Sequence, residues 1–258
     1  MTFRELHHRA GPPLLLPNAW DVASALAFAE AGFPAVGTTS FGVAAADGSP
    51  DGGRASKAAT LALARQLAPL PVYISADIED GYGDDPHRVA AYAESLGIDG
   101  INIEDSSDEK LIAPELHAAK VSAIKHRVPG LFVNARVDTY WLGQQATVVA
   151  TLERARAYVA AGADGIFVPG ATDPADLQAL TAGIDAPVNI LAHPALTLTD
   201  LGTLGVRRVS TGSLPYRAAI DAAVHVASAV RDGRTPPPAT PYAEMQQRLL
   251  RFTEAIRE

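Results

Sequence analysis

Short apolar runs alternate with longer amphipathic runs along most of this chain, and the alternation predicts its elements. Eight runs read as strands: Leu14–Pro17, Ala35–Thr39, Val72–Ala76, Gly100–Ile103, Leu131–Ala135, Gly165–Val168, Val188–Leu191 and Arg208–Thr211. Each is short and apolar, with β-branched residues in most, as strands buried on both faces of a parallel sheet are. Helical spacing fills the gaps at Asp21–Ala31, Lys57–Ala68, Pro86–Leu96, Pro114–His126, Ala146–Ala161, Pro174–Thr181, Thr199–Leu204 and Pro215–Arg231. Start and stop chemistry agrees with these bounds. Pro86 opens one helix and Gly97 follows its end, and Asp173 precedes Pro174 as an N-cap.

Eight such pairs in one chain close into an α/β barrel, a (β/α)8 TIM barrel. The 258 residues match the ~250 typical of that fold. An open doubly wound sheet would show a Gly-rich turn after its first strand, and "LLLPNAWD" has none. The expected organisation is a barrel over residues 1–231, a Pro-rich connector over 232–241, and a C-terminal helix over 242–258 with Leu249, Leu250, Phe252 and Ile256 on one side. That helix packs either on its own barrel or on a neighbouring subunit, the second arrangement giving a dimer or tetramer. Composition narrows the function. A net charge of −8 argues against a nucleic-acid surface. With no cysteine, thiolate metal sites and Cys nucleophiles are excluded. The sequence shows neither a signal peptide nor a membrane span, so a cytoplasmic protein is expected.

In such barrels the chemistry gathers at the C-terminal ends of the strands. Read there, strand two ends in Thr39 and Ser40, strand three in Asp77, Glu79 and Asp80, strand four in Glu104 and Asp105, and strand five in Asn134, Arg136 and Asp138. Strand seven carries Asn189 and ends near His193, and strand eight runs into Gly212-Ser213. Several carboxylates at one rim repel each other unless a cation lies among them. Oxygen ligands without a His or Cys cluster favour Mg²⁺ or Mn²⁺, so Asp77, Glu79 and Glu104 are the expected metal group. Such an ion would act as a Lewis acid toward a keto carboxylate, and Arg136 would hold the same oxygens. Asp80, Asp105 and Asp138 are expected to cap helices or pair with basic side chains.

Five ordered segments carry a family resemblance: "AGFPAVGTTSFGVAAADGSPDGG", "PVYISADIEDGYGD", "GIDGINIEDS", "VNARVDTY" and "GADGIFVPG". The chain resembles the isocitrate lyase/phosphoenolpyruvate mutase superfamily over roughly residues 12 to 230. The resemblance implies a barrel with a terminal helix exchanged between subunits, bound Mg²⁺, and an enolate-type intermediate formed while C–C or P–C bonds break. It implies a metal-shell role for Glu104 and a substrate-arginine role for Arg136. It places Thr39, Ser40 and Phe41 at the substrate carboxylate and Asp51 on a mobile loop. The Gly content of residues 42–53 permits movement, and whether they close as a lid is left open by the sequence. The family's Asp-Ala-Asp motif aligns in two registers here, as Asp77/Glu79 or as Ser75/Asp77, and the first is preferred.

The chain also departs from the pattern. The lyase loop with its catalytic Cys is replaced by Ser-Ser-Asp-Glu-Lys-Leu after Asp105, Lys110 lacks the Asn of phosphonate-forming members, and Pro169-Gly170 stands where many lyases carry Glu. What remains is a Mg²⁺–enolate core with altered acid–base equipment, which suits decarboxylation or C–C cleavage of a small oxaloacetate-like acid. Catalysis is assigned to Asp77, Arg136 and His193, the last as proton donor with Tyr82 and Tyr140 as further candidates. Substrate contacts are assigned to Thr39, Ser40, Phe41, Asp51, Asn134 and Asn189. The competing expectations are a phosphonate mutase or hydrolase, a non-catalytic carboxylate-binding barrel, and a phosphate-binding barrel using Gly212-Ser213.

Overall fold

A computed structural model describes residues 1–255. The chain runs α1 (Phe3–His8), β1 (Leu14–Leu16), β2 (Asn18–Ala19), α2 (Val22–Glu30), β3 (Ala35–Thr38), α3 (Ser40–Ala46), α4 (Lys57–Leu67), β4 (Tyr73–Asp77), α5 (Pro86–Leu96) and β5 (Gly100–Glu104). It continues through β6 (Ser106–Ser107), β7 (Lys110–Leu111), α6 (Pro114–Arg127), β8 (Phe132–Arg136), α7 (Thr139–Leu142), α8 (Val148–Ala160) and β9 (Gly165–Phe167). Then follow α9 (Pro174–Gly183), β10 (Val188–Leu191), α10 (Leu198–Thr203), β11 (Arg208–Ser210), α11 (Leu214–Arg231) and α12 (Tyr242–Ala255).

The main sheet is parallel, in the order β1-β11-β10-β9-β8-β5-β4-β3-β2. Its two ends are halves of one stretch of chain, divided at Pro17. Leu14–Leu16 pair with β11 and Asn18–Ala19 pair with β3, so the sheet closes on itself. Pro has no N–H to donate, and the break falls where the chain changes partner. The result is an eight-position (β/α)8 barrel whose strands lie close to the expected runs. Strand faces turned toward the helices form the main core with Ile101, Ile103, Val133, Ile166, Val188 and Val209.

The pattern did not anticipate the short β2, the helices α1, α3 and α7, or the β6–β7 hairpin. Of these, α1 has a full capping box, Thr2 with Glu5, and its Phe3, Leu6 and His7 are buried. It plugs the N-terminal end of the barrel. The Phe3 ring meets Phe132 at 5.4 Å and Tyr73 at 5.6 Å, and His7 stacks on Phe132 at 4.1 Å. Gly100 leaves room for this plug, since a Cβ there would lie 2.5 Å from the Phe3 ring. The segment 42–53, whose closing over the site was left open, is in part α3, with only its second half left as loop.

The connector over 232–241 is irregular, and α12 rests against its own chain. Arg248 and Arg251 pair with Glu30 of α2 at 2.7 and 2.9 Å, and Phe252 packs on the α2–α4 core. The expected apolar position Ile256 lies outside the described residues. Ile220, Val224 and Val230 of α11 remain exposed. No helix among the described residues is long and apolar enough to cross a membrane.

Removing the plug's anchor tests this account. Phe3→Ala is expected to lower unfolding stability by about 3 kcal/mol or more, the usual cost of deleting a buried Phe. Urea denaturation measures it, and a change under about 1 kcal/mol would show that α1 does not hold the barrel base.

Candidate active site

The site forms where β4, β5 and β8 end side by side. Register pairs Asp77 with Asn102 and Asn102 with Asn134, then Glu104 with Arg136. Successive inward-facing residues on one strand differ in height by about 6.6 Å, so Glu104 and Arg136 stand one layer above Asn102 and Asn134.

Asp77 ends β4. One of its oxygens, Oδ2, accepts from the Ser40 backbone N–H at 3.2 Å and from the Ser40 hydroxyl at 2.9 Å. The other, Oδ1, is buried and has no partner among the described residues. Ser40 Oγ also lies 3.4 Å from Asp51. Beyond Asp77 the chain turns sharply through Glu79, Gly81 and Tyr82, with φ of 48°, 90° and 58°. Left-handed backbone at Glu79 and Tyr82 is strained for residues with a side chain, and hydrogen bonds offset the strain. Glu79 accepts from Ser56 Oγ at 2.5 Å and from the Arg54 N–H at 2.8 Å, and Ser56 also meets the Tyr82 hydroxyl at 2.8 Å. Arg54 pairs with Asp80 at 2.5 Å, and Lys120 reaches the Asp80 carbonyl at 2.8 Å. Glu79 and Asp80 therefore latch the loop that carries Asp51.

Arg136 ends β8. It pairs with Glu104 and Asp138 at 2.5 Å each, and its guanidinium lies between Trp141 (5.5 Å) and Phe167 (5.7 Å). Such stacking favours a held cation. Asp138 in turn accepts from Ser106 at 2.5 Å, and its N–H donates to Asp105 at 2.8 Å. Arg154 and Tyr158 satisfy the other Asp105 oxygen at 2.9 and 2.7 Å. Asp80, Asp105 and Asp138 are thus structural partners of basic and hydroxyl groups.

Two cavities of about 230 and 490 Å³ meet at this rim and share Asp51, Arg136 and Trp141. Thr39, Ser40, Phe41 and Asp77 line the smaller, and Glu79 and Glu104 line the larger. The acids repel one another across them. Burial raises the Asp51 carboxyl, and the Asp77 charge adds to it. Burial raises Glu79 against its two donors. Glu104 is raised by burial, partly opposed by Arg136 and reinforced by Asp138 and Asp77. Burial works against the Arg136 charge, but Asp138, Glu104 and Asp77 outweigh it and hold the guanidinium protonated.

Several expected site residues lie elsewhere. His193 lines neither cavity. Its Nδ1 accepts from the N–H groups of Ala195 and Leu196 at 3.1 and 2.9 Å, so its Nε2 donates to the Thr172 carbonyl at 3.0 Å. Both nitrogens are spent on a turn, which removes the basis for a proton-donor role. Asn134 and Asn189 are buried below the cavity, bonded to Asn102 at 2.9 Å and to Ser210 at 3.1 Å, and line neither space. Tyr82 is enclosed by Ser56 and Thr60, and Tyr140 donates to Asp176 at 2.8 Å. Asp77, Glu79 and Glu104 do not form a common ligand shell, because Glu79 is committed to the loop latch. Among the described residues no three His, Cys, Asp or Glu side chains are gathered for one metal.

Among the lining residues not singled out from the sequence are Asn18, Asn102, Trp141 and Arg217. Asn18 accepts from Gly212 N–H at 2.9 Å and donates to the Thr38 carbonyl at 2.7 Å, and Gly37 leaves the space it occupies. Arg217 sits in the first turn of α11, lines the same cavity as Arg136, and forms no ion pair with the described residues. Reading first helical turns together with strand ends would have found it.

The site is thus a small rim cavity of a closed parallel barrel, lined by carboxylates and two arginines. The chain belongs to the phosphoenolpyruvate phosphomutase family, whose model matches residues 3–231. It is 59% identical to the uncharacterized protein Rv1998c of Mycobacterium tuberculosis (strain ATCC 25618 / H37Rv), over 98% of this chain and 97% of that one. An oxaloacetate decarboxylase of Bradyrhizobium sp. (strain BTAi1 / ATCC BAA-1182) is 32% identical over 74% of this chain and 70% of its own length. A solved lyase/mutase-type protein of Burkholderia cenocepacia J2315 superposes with a TM-score of 0.86 at 34% identity, covering 95% of this chain and 93% of that chain.

The latch makes a prediction. Glu79→Ala removes two hydrogen bonds to a charged group, worth about 1.5–3 kcal/mol each. Limited trypsin digestion is expected to cut after Arg54 about tenfold faster or more in that variant than in the parent. Equal cleavage rates would mean the loop over 47–56 is held by something else.

Proposed function

We propose that the smaller cavity binds a small dicarboxylate with a 2-keto or 2-hydroxy group and that the chain is a Mg²⁺-dependent lyase, with decarboxylation of an oxaloacetate-like acid as the favoured reaction. One observation carries this reading: the Asp77 oxygen left buried and unpartnered beside a cavity flanked by two arginines. An unpaired buried carboxylate oxygen is costly, and a bound cation or its water would satisfy it. Mg²⁺ fits the donors present, since it takes one or two carboxylates directly and keeps several waters. Asp77 would hold it, with Asp51 and Glu104 free to take hydrogen bonds from its waters. When bound, it supplies Lewis-acid stabilisation of the oxyanion that develops at the keto oxygen.

The chain's own groups do the rest. Arg136, fixed by Glu104, Asp138 and its two aromatic neighbours, offers paired N–H donors to a carboxylate. Arg217 gives a second cationic contact, which favours a substrate with two anionic ends. Ser40 positions Asp77 and closes the wall with Thr39 and Phe41. None of the described lining residues is His, Lys, Cys or Tyr. Decarboxylation asks for oxyanion stabilisation followed by proton uptake, and that equipment suits it better than a cleavage requiring a dedicated side-chain acid. The decarboxylase relative supports the same chemistry.

Purified protein with Mg²⁺ should turn over oxaloacetate in preference to isocitrate, methylisocitrate, dimethylmalate and phosphonopyruvate. Asp77→Asn is expected to lower that rate at least 100-fold, about 2.7 kcal/mol. Turnover of phosphonopyruvate alone, or full activity in the Asp77 variant, would sink the proposal.

Metal affinity should depend on pH. Protons compete with the cation and its waters for carboxylates, and Asp51 and Glu104 are both raised. Apparent Mg²⁺ affinity is therefore expected to climb as pH rises through their titration and to level off once they are ionised. Calorimetric titration at several pH values checks this, and an affinity that is flat or falls with pH would contradict it.

A further inference from the structure

Arg208 is the largest fully buried side chain in the molecule, and the reaction proposed above gives it no part. It starts β11 and points into the barrel, where bulky aliphatic side chains usually fill the space. Among the described residues it makes no ion pair, and its Nη1 has no hydrogen-bond partner. The charged or titratable groups it faces are Asp77 above and His7 of the basal plug below. A buried guanidinium without a carboxylate at contact distance is costly, and a hydrophobe of similar volume is often as good or better for stability. Stability alone therefore does not account for it.

Its hydrogen bonds point to a use. Nη2 donates to Asn102 Oδ1 at 3.1 Å, and Nε donates to Ser210 Oγ at 3.2 Å. A guanidinium has no acceptor, so the Asn102 atom facing it must be the carbonyl oxygen. Asn134 then donates to that same oxygen at 2.9 Å. With the oxygen turned down toward two donors, the Asn102 amide nitrogen is turned the other way. Asn102 lines the smaller cavity, and its Nδ2 is neither bonded to any of the described residues nor shut away as an unsatisfied buried atom. Its N–H groups are left for the occupant of that cavity, next to Asp77 in register and one layer beneath Glu104 and Arg136.

We propose that Asn102 donates a side-chain N–H to a carboxylate or keto oxygen of the substrate at the cavity floor, and that Arg208 is the positioning residue that fixes the amide in that orientation. The proposal rests on the smaller cavity being the substrate site. Arg208 touches no substrate atom. It acts through Asn102, and its charge also faces the Asp77 side of the floor. A donor held from below needs no reorganisation when substrate arrives, which is the condition for strong oxyanion binding.

The probe is oxalate with Mg²⁺, the smallest planar dicarboxylate, titrated calorimetrically into the full chain. Asn102→Ala and Arg208→Met are each expected to weaken oxalate binding about tenfold. The double variant should be no weaker than Asn102→Ala within about twofold, because both changes remove one interaction. Asn102→Asp keeps an acceptor for Arg208, and so keeps the fold, while removing the donor; it should lose binding at least as fully as Asn102→Ala. Ligand-free crystals of Arg208→Met should show the Asn102 amide rotated or displaced. The proposal is overturned if Arg208→Met costs as much in the Asn102→Ala background as alone, if Asn102→Asp binds like the parent, or if the amide is unmoved in Arg208→Met. Absence of oxalate binding by the parent would instead sink the substrate-site reading, and the crystal comparison would then decide the Arg208–Asn102 relation by itself.

Discussion

Negative charge crowded at one end of the barrel is the constraint around which the rest of the site is organised. Most acids there have a basic partner: Glu104 and Asp138 share Arg136, Asp80 has Arg54 and Lys120, and Asp105 has Arg154. Asp51, Asp77 and Glu79 have no such pair among the described residues, and all three line the cavities. Glu79 is stabilised by neutral donors and Asp51 by little. Asp77 is left half-satisfied. The charges thus divide into a neutralised frame and an unneutralised centre. Buried ion pairs add little net stability, but removing one partner leaves the other exposed to the full desolvation cost. The frame therefore fixes geometry more than it contributes free energy.

Much of the architecture could be read from the chain because parallel strands buried on both faces leave near-continuous apolar runs. Pro and Gly at helix ends sharpened the bounds. What escaped the reading is instructive. The plug α1 is six residues long and carries a capping box in Thr2 and Glu5, a signal present in the sequence but easily taken for a loose terminus. In α3 the run of Ala and Gly after Phe41 resembled a flexible lid, yet Thr39 caps it as a helix. Strand ends pointed to the right rim but not to depth. Asn134 and Arg136 share a strand face, and only the second reaches a cavity wall. The shift of attention from Asn134 to Asn102 depends on how neighbouring strands are staggered, which no single strand reveals. His193 was out of reach for a different reason: imidazole at a strand end can serve a turn or a reaction, and only its hydrogen-bond partners tell the two apart.

The break at Pro17 connects barrel closure with the site. It lets one stretch of chain pair on both sides, and it places Asn18 where its amide ties the Thr38 carbonyl to the Gly212 N–H. The first, second and eighth barrel positions are joined through that one side chain. The wall holding Thr39 and Ser40 is thereby anchored to the wall leading into Arg217. On the opposite side, Glu104 and Arg136 join the fourth and fifth positions in register. The cavity is bounded by two such cross-strand ties, with the latched Asp51 loop as a further side.

Only two tryptophans occur in the chain, and one of them, Trp141, lies half-exposed against Arg136 at the boundary of both cavities. The other, Trp20, packs edge-on against Tyr216 near the start of α11. An indole so close to a guanidinium has an emission sensitive to how that charge is screened. The molecule consequently carries an intrinsic optical reporter at the boundary of its two cavities, set beside the Arg136 guanidinium.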